Sequence, residues 1–229
     1  MQYRYFHAVT GIFVTCLVVS NIIAVKPIAL GPLFLPAAVV IFPLSYLVGD
    51  ILTEVYGYRK ARQVIWIGFF CNVISVAAVY LSIAIPPAPF WDLGFASPGK
   101  AQEAYAAFFG FTPRLLAASL LAYLVGEFLN ATVMAKVKVA MQGRHLWVRT
   151  ISSTLLGQLA DSAVFITLAF YGIFPTDALA GMVLTQWLVK SLYEALLTPV
   201  TYLAVGYLKK AEKEDVYDYD TRFNPFAAK

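Results

Sequence analysis

Several carboxylates and amides and one lysine stand where their neighbours are apolar, and their spacing gathers them onto helix faces. Asp50 and Glu54 are four residues apart, Glu127 and Asn130 three, and Gln158 and Asp161 three. Gln186, Lys190 and Glu194 follow one another at every fourth residue, and Asn21 stands beside Ser20 in the first apolar run. An ionised side chain at the centre of a membrane helix costs about 2.5–3.5 kcal/mol on insertion scales, so such residues mark a pathway unless they serve only to join helices. Joining helices is the bland account, at about 0.6 kcal/mol per polar contact in measured membrane cases, which is little return for buried charge. Asp161 and Lys190 fall near the middle of adjacent antiparallel spans and are expected to pair, or Lys190 pairs with Glu194 within its own helix. Either way Glu127, Asp161 and Glu194 outnumber the base, leaving acid groups for a proton or for a ligand with N–H donors. Trp187 adjoins the Gln186/Lys190 row and offers an aromatic face. Asp50, Glu54 and Arg59 come at a span end, where a salt bridge and a gate are both open readings.

The elements that must hold these residues are apolar runs at 6–25, 33–48, 64–85, 115–133, 148–171 and 178–207, each long enough to cross or nearly cross a bilayer. With 60% hydrophobic and 13% charged residues, the chain has more apolar surface than a soluble globule of 229 residues could hide. The expected fold is therefore an all-α integral membrane protein of six transmembrane helices. Arg4, the group Arg59, Lys60 and Arg62, the group Lys136, Lys138, Arg144 and Arg149, and the group Lys209, Lys210 and Lys213 share one side of that arrangement. The other side keeps only Lys26, Lys100 and Arg114, so both termini are expected in the cytoplasm. Pro36 and Pro43 should bend or break the second span. Lys100 to Phe109 suits a short interfacial helix. Residues 1–210 read as one transmembrane domain and 211–229 as a polar, disordered cytoplasmic tail.

Cys16 and Cys71 both lie in apolar runs, so no disulfide framework or cysteine metal motif arises, and His7 and His145 lack metal-ligand spacing. No phosphate-binding loop, nucleophile elbow or H-E-x-x-H helix is present, so neither a catalytic residue, a metal nor a cofactor is expected. The net charge of +4 follows from the topology and does not imply nucleic acid. Tyr46-Leu-Val-Gly-Asp50 is echoed by Tyr123-Leu-Val-Gly-Glu127 and, more loosely, by Gly157-Gln-Leu-Ala-Asp161.

Ser20-Asn21 to Lys26, Phe42-Pro43 through Asp50-Ile-Leu-Thr-Glu54-Val-Tyr-Gly57 to Arg62, Gly157 to Ser162 and Lys190 to Pro199 carry a resemblance to a known family. Over roughly residues 6–208 the chain resembles the queuosine precursor transporters, also called vitamin uptake transporters. The resemblance implies six helices in the cell (inner) membrane and uptake of 7-deazaguanines, such as the 7-cyano and 7-aminomethyl forms or queuine, for tRNA modification. Gly126-Glu127 with Asn130 departs from the Gln- or Asp-rich motif expected in the fourth span. A deazaguanine presents two adjacent N–H donors that Asp161 or Glu127 could accept, and a carbonyl to which Lys190, Gln158, Gln186 or Asn21 could donate. The partners expected are thus a heterocyclic substrate, the lipid bilayer and a second copy in a homodimer. The alternatives are a substrate-binding subunit of a vitamin importer that needs an energising partner, and a membrane enzyme or structural subunit that transports nothing.

Overall fold

The computed structural model describes residues 3–30, 33–110 and 113–227. Seven α-helices are found there: α1 (Phe6–Ile23), α2 (Phe42–Tyr56), α3 (Tyr58–Ala84), α4 (Pro98–Phe109), α5 (Pro113–Ala140), α6 (Leu146–Phe170) and α7 (Thr176–Glu212). Strands β1 (Pro27–Leu30) and β2 (Leu33–Pro36) pair antiparallel, with Pro27 opposite Pro36. Among the described residues four stretches are long and apolar enough to cross a membrane: α1, α3, the stretch Pro98–Ala140 that contains α5, and α6. Large apolar side chains point outward from these helices, among them Ile67, Phe70, Ile74 and Leu81 of α3. In lipid such a surface needs no further cover.

The second apolar run, expected as one span over 33–48, is not one helix. It passes through β2 and a 3-10 turn at Ala37–Val40, and α2 begins only at Phe42 and continues past Asp50 and Glu54 to Tyr56. The prolines account for this: Pro36 is extended at φ −65° and ψ 143°, and Pro43 occupies the first turn of α2, where its missing N–H costs nothing. At 15 residues α2 is only about 22 Å long, less than a hydrocarbon core of about 30 Å. All of it except Phe42 and Leu44 is buried, because α1, α3, α5 and α7 pack around it. Asp50 and Glu54 therefore lie inside the protein and not at its rim.

The α5–α6 pair makes the most extensive packing in the molecule, and two glycines permit it. A methyl group on Gly126 would stand 2.8 Å from Asp161 Cβ and 3.2 Å from Gly157 O, and one on Gly157 would stand 2.8 Å from Asn130 Cβ. The pair thus brings the polar stripes of α5 and α6 together. The echoed segments also meet. Tyr46 OH is 2.6 Å from where a methyl on Gly126 would lie, and Glu127 Oε2 is 3.0 Å from the corresponding point on Gly49.

The chain ends converge at one end of the bundle, where the backbone N–H groups of Arg4 and Tyr5 donate to Glu212 at 2.9 and 2.7 Å. The acidic tail expected to be disordered is seated against the bundle there. Asp218 accepts from Tyr58 N at 3.0 Å, Asn224 O from Arg62 at 2.9 Å and Pro225 O from Trp66 Nε1 at 3.0 Å, while Phe223 packs on Tyr58. Composition pointed to disorder because the tail's own apolar content is small, yet the bundle supplies the donors and the rings that it lacks. Gly57, at φ 79°, joins α2 to α3, and a side chain there would meet Val216 of the tail at 2.6 Å.

Candidate functional site

Polar side chains from α2, α5, α6 and α7 meet in the interior. Lys190 Nζ of α7 reaches Asp161 Oδ2 of α6 at 2.5 Å and lies over the Phe42 ring at 4.5 Å. Of the two partners open to Lys190, it takes Asp161. Glu194, one turn further along α7, accepts from Thr154 Oγ1 at 2.7 Å and adjoins Gln158. Asp50 accepts from Asn130 Nδ2 at 2.8 Å. Asp50, Thr154, Ser191 and Glu194 line a cleft between α2, α6 and α7. Glu127 does not line that cleft; its Oε2 lies 3.0 Å from where a methyl on Gly49 would stand.

Much hydrogen-bonding capacity in this cluster is unused. Tyr46 OH, Glu127 Oε1, Asn130 Oδ1, Ser162 Oγ, Ser191 Oγ and Glu194 Oε2 are buried and make no hydrogen bond of ordinary geometry, nor does the Gln158 amide. Natural proteins leave few such atoms, because each costs about 1–3 kcal/mol when desolvated and unpaired. A group of them drawn from four helices therefore suits a ligand that supplies the missing partners. Tyr46, Thr154 and Ser191 escaped the sequence reading, which weighed charges and amides. Their signal was the spacing: Tyr46 stands one turn before Asp50, and Thr154 one turn before Gln158.

The remaining expected residues fall elsewhere. Asn21 of α1 donates to Asn72 Oδ1 of α3 at 2.6 Å, apart from the cluster. Trp187 is half-buried and spends its Nε1–H on Leu155 O at 2.9 Å, and Gln186 beside it has a buried, unbonded Oε1. Arg59 is exposed, so the grouping of Asp50, Glu54 and Arg59 is not assembled. Glu54 is fully buried and meets other cations: Arg149 through Nε and Nη2 at 2.8 and 2.7 Å, and Lys209 at 2.5 Å. Lys138 donates to Glu54 O at 2.6 Å and bridges to Asp215 of the tail at 2.5 Å. Three cations thus face two carboxylates. The charge pattern places Arg149, Lys138 and Lys209 on one side of the membrane, and the topology rule gives that side and not the partner. Burial would raise the Asp215 carboxyl, but hydrogen bonds from Lys138 and Lys209 hold it below the usual carboxylate range. Glu212 is likewise held low by the Tyr5 and Arg4 backbone N–H groups, which outweigh its desolvation.

Apolar helices with lipid-suited exteriors and a polar, under-bonded interior define a multi-pass membrane protein of the transporter class. A family model described as "Putative vitamin uptake transporter" matches residues 36–204, and the chain belongs to that family. It is similar to the probable queuosine precursor transporter of Bacillus subtilis (strain 168), 28% identical over 197 residues that cover 86% of this chain and 82% of the relative. The corresponding protein of Haemophilus influenzae is 30% identical over 130 residues, 57% of this chain and 49% of that one. The queuosine precursor transporter of Escherichia coli (strain K12) is 27% identical over 130 residues, covering 57% and 52%. No solved structure matches. The relatives are named as transporters and not as enzymes, and the chain is a multi-pass protein of the cell membrane.

Proposed function

We propose that this chain imports queuosine precursors of the 7-deazaguanine class through the polar cluster between α2, α5, α6 and α7. The observation that carries the proposal is the set of buried, under-bonded polar atoms contributed by four different helices. In this reading Asp161 and Glu194 accept the adjacent N–H donors of the heterocycle, and Lys190, Gln158 and Gln186 donate to its carbonyl, with Trp187 beside them. Asn21, held by Asn72, steadies α1 against α3. Glu127 stands behind the site.

The proposed topology completes six spans by adding α7 and the unit formed by the hairpin and α2 to the four apolar stretches, with both termini in the cytoplasm. Non-helical backbone at membrane depth is tolerated where protein covers it. Asp50 lies on the cytoplasmic side of the cluster, and Glu54 forms the gate there with Arg149, Lys138 and Lys209 in place of Arg59. The working unit in the membrane is a homodimer.

Thermal shift of the purified protein against 7-cyano-7-deazaguanine, 7-aminomethyl-7-deazaguanine, queuine and guanine tests the substrate class. A ligand at 100 times its Kd stabilises by about 2.7 kcal/mol. Stabilisation by deazaguanines above guanine supports the proposal, and no shift with any of them overturns it. Uptake by the chain alone in liposomes excludes the need for an energising partner.

A further inference from the structure

We infer that the substrate crosses together with a proton and that Glu127 carries that proton; the inference rests on the import reading above. Glu127 is 1% exposed, and its Oε1 makes no hydrogen bond. The groups that face it are Tyr46 and Asp50 of α2, Asp161 of α6 and Glu194 of α7, with Tyr123 one turn away on its own helix. Phe13 of α1 lies beside it, both being within 4 Å of where a methyl on Gly49 would stand. Lys190 is already bound to Asp161, and the buried Lys138 and Arg149 are bound to Glu54. Among the described residues no lysine, arginine or histidine comes within ion-pair distance of Glu127, Asp50 or Glu194. Carboxylates without counter-ions cannot all stay ionised away from water, and in membrane proteins such acids serve as proton relays.

The proton is the cation that fits best. No grouping of His, Cys, Asp and Glu among the described residues is arranged to hold a metal ion. A proton needs only one lone pair and a short path, and the path is at hand. Tyr46 OH is fully buried and unbonded, and it lies against Gly126 and Asp161 among the acids. Asp50 continues the line to the cleft and toward Glu54, at the end where the chain termini meet. In the import reading Asp161 and Glu194 accept from the substrate, so Glu127 can gain or lose its proton without giving up a contact to it. One proton enters with one substrate, moves from the Glu127 carboxyl toward the Asp50 side, and leaves to the cytoplasm, which restores the carboxylate.

The test uses the full-length protein in liposomes with labelled queuine. Two measurements are made: exchange of label at equal pH, and net accumulation under an inward pH gradient with and without a protonophore. With one proton per substrate, one pH unit should raise accumulation about tenfold. Glu127→Gln should keep exchange to within about threefold and lose the gradient-driven part. A pH dye inside lightly buffered liposomes of the unaltered protein should report proton entry when queuine is added, so the inference remains testable if Glu127→Gln does not fold. Exchange without response to the gradient or the dye overturns the inference while leaving the import reading intact, as does accumulation driven by sodium instead. Gradient-driven accumulation retained by Glu127→Gln removes Glu127 from the role. Absence of even exchange in the unaltered protein removes the import reading itself.

Discussion

Among the described residues Glu54 faces three cations and Glu127 none, so replacing each by its amide should have different effects on stability. Glu54→Gln leaves Arg149 and Lys138 buried with too little negative charge, and breaking a buried pair of this kind costs about 3–5 kcal/mol. A markedly lower Tm is expected for Glu54→Gln and a nearly unchanged one for Glu127→Gln, measured by thermal unfolding in the same detergent. Equal losses at the two positions would contradict the charge arrangement described. Asp161→Asn should abolish uptake while the protein still inserts and purifies, because it removes both the partner of Lys190 and an acceptor for the heterocycle; unchanged uptake would remove Asp161 from the site. At this scale the sequence was informative about which residues are out of place and weak about their partners. Asp161 and Lys190 could be paired by counting from span edges across a short turn. The link from Glu54 to Arg149 spans 95 residues and depends on how far α2 continues past the membrane edge expected for it.

The α5–α6 crossing sets the positions of Glu127, Asn130, Gln158 and Asp161 together, since all four lie within one turn of Gly126 or Gly157. Gly157→Ala would press a methyl to 2.8 Å from Asn130 Cβ and force the helices apart, at about 1–3 kcal/mol for an overpacked contact. Both Tm and uptake are expected to fall in Gly157→Ala, whereas Gly181→Ala, which meets nothing within 4 Å, should change neither. Helices α1 and α6 were legible as apolar runs with bounds close to those observed, because length and apolar content suffice for elements that face lipid, whereas α3 starts at Tyr58 and α5 runs on to Ala140, through basic residues that the apolar runs leave out. The hairpin before α2 was not. Pro36 and Pro43 signalled a break in the helix, but strand pairing in place of a bend depends on long-range surroundings that no local pattern encodes. The repeated Tyr-Leu-Val-Gly-acid segments are short enough to recur by chance in apolar sequence, yet their glycines receive one another's polar side chains.

Considered whole, the molecule has one end tied by its own termini. Glu212 and Asp215 are both held below the usual carboxylate range, so their contribution is complete above about pH 4, the unfolded carboxylate value, and is lost as pH falls through their lower folded values. Residues 213–227 should accordingly become accessible to protease below about pH 4 and stay protected at neutral pH, as limited proteolysis followed by mass spectrometry would show. Protection unchanged by acid would mean that packing of Phe223, and not these carboxylates, keeps the tail in place. Thiols introduced at Gln142 and Lys213 should react only from the cytoplasmic side and one at Lys100 only from outside, and the reverse pattern would invert the proposed topology. The tail's seat was hidden from composition because its donors are Tyr58, Arg62 and Trp66, all on α3. Asp215, which bridges Lys138 and Lys209, lies just beyond α7 in the chain and so is synthesised after all seven helices. The ion cluster around Glu54 therefore gains its second carboxylate only once the chain past α7 has emerged, and a nascent chain halted at Glu212 would leave Lys138 and Lys209 to share Glu54 alone with Arg149.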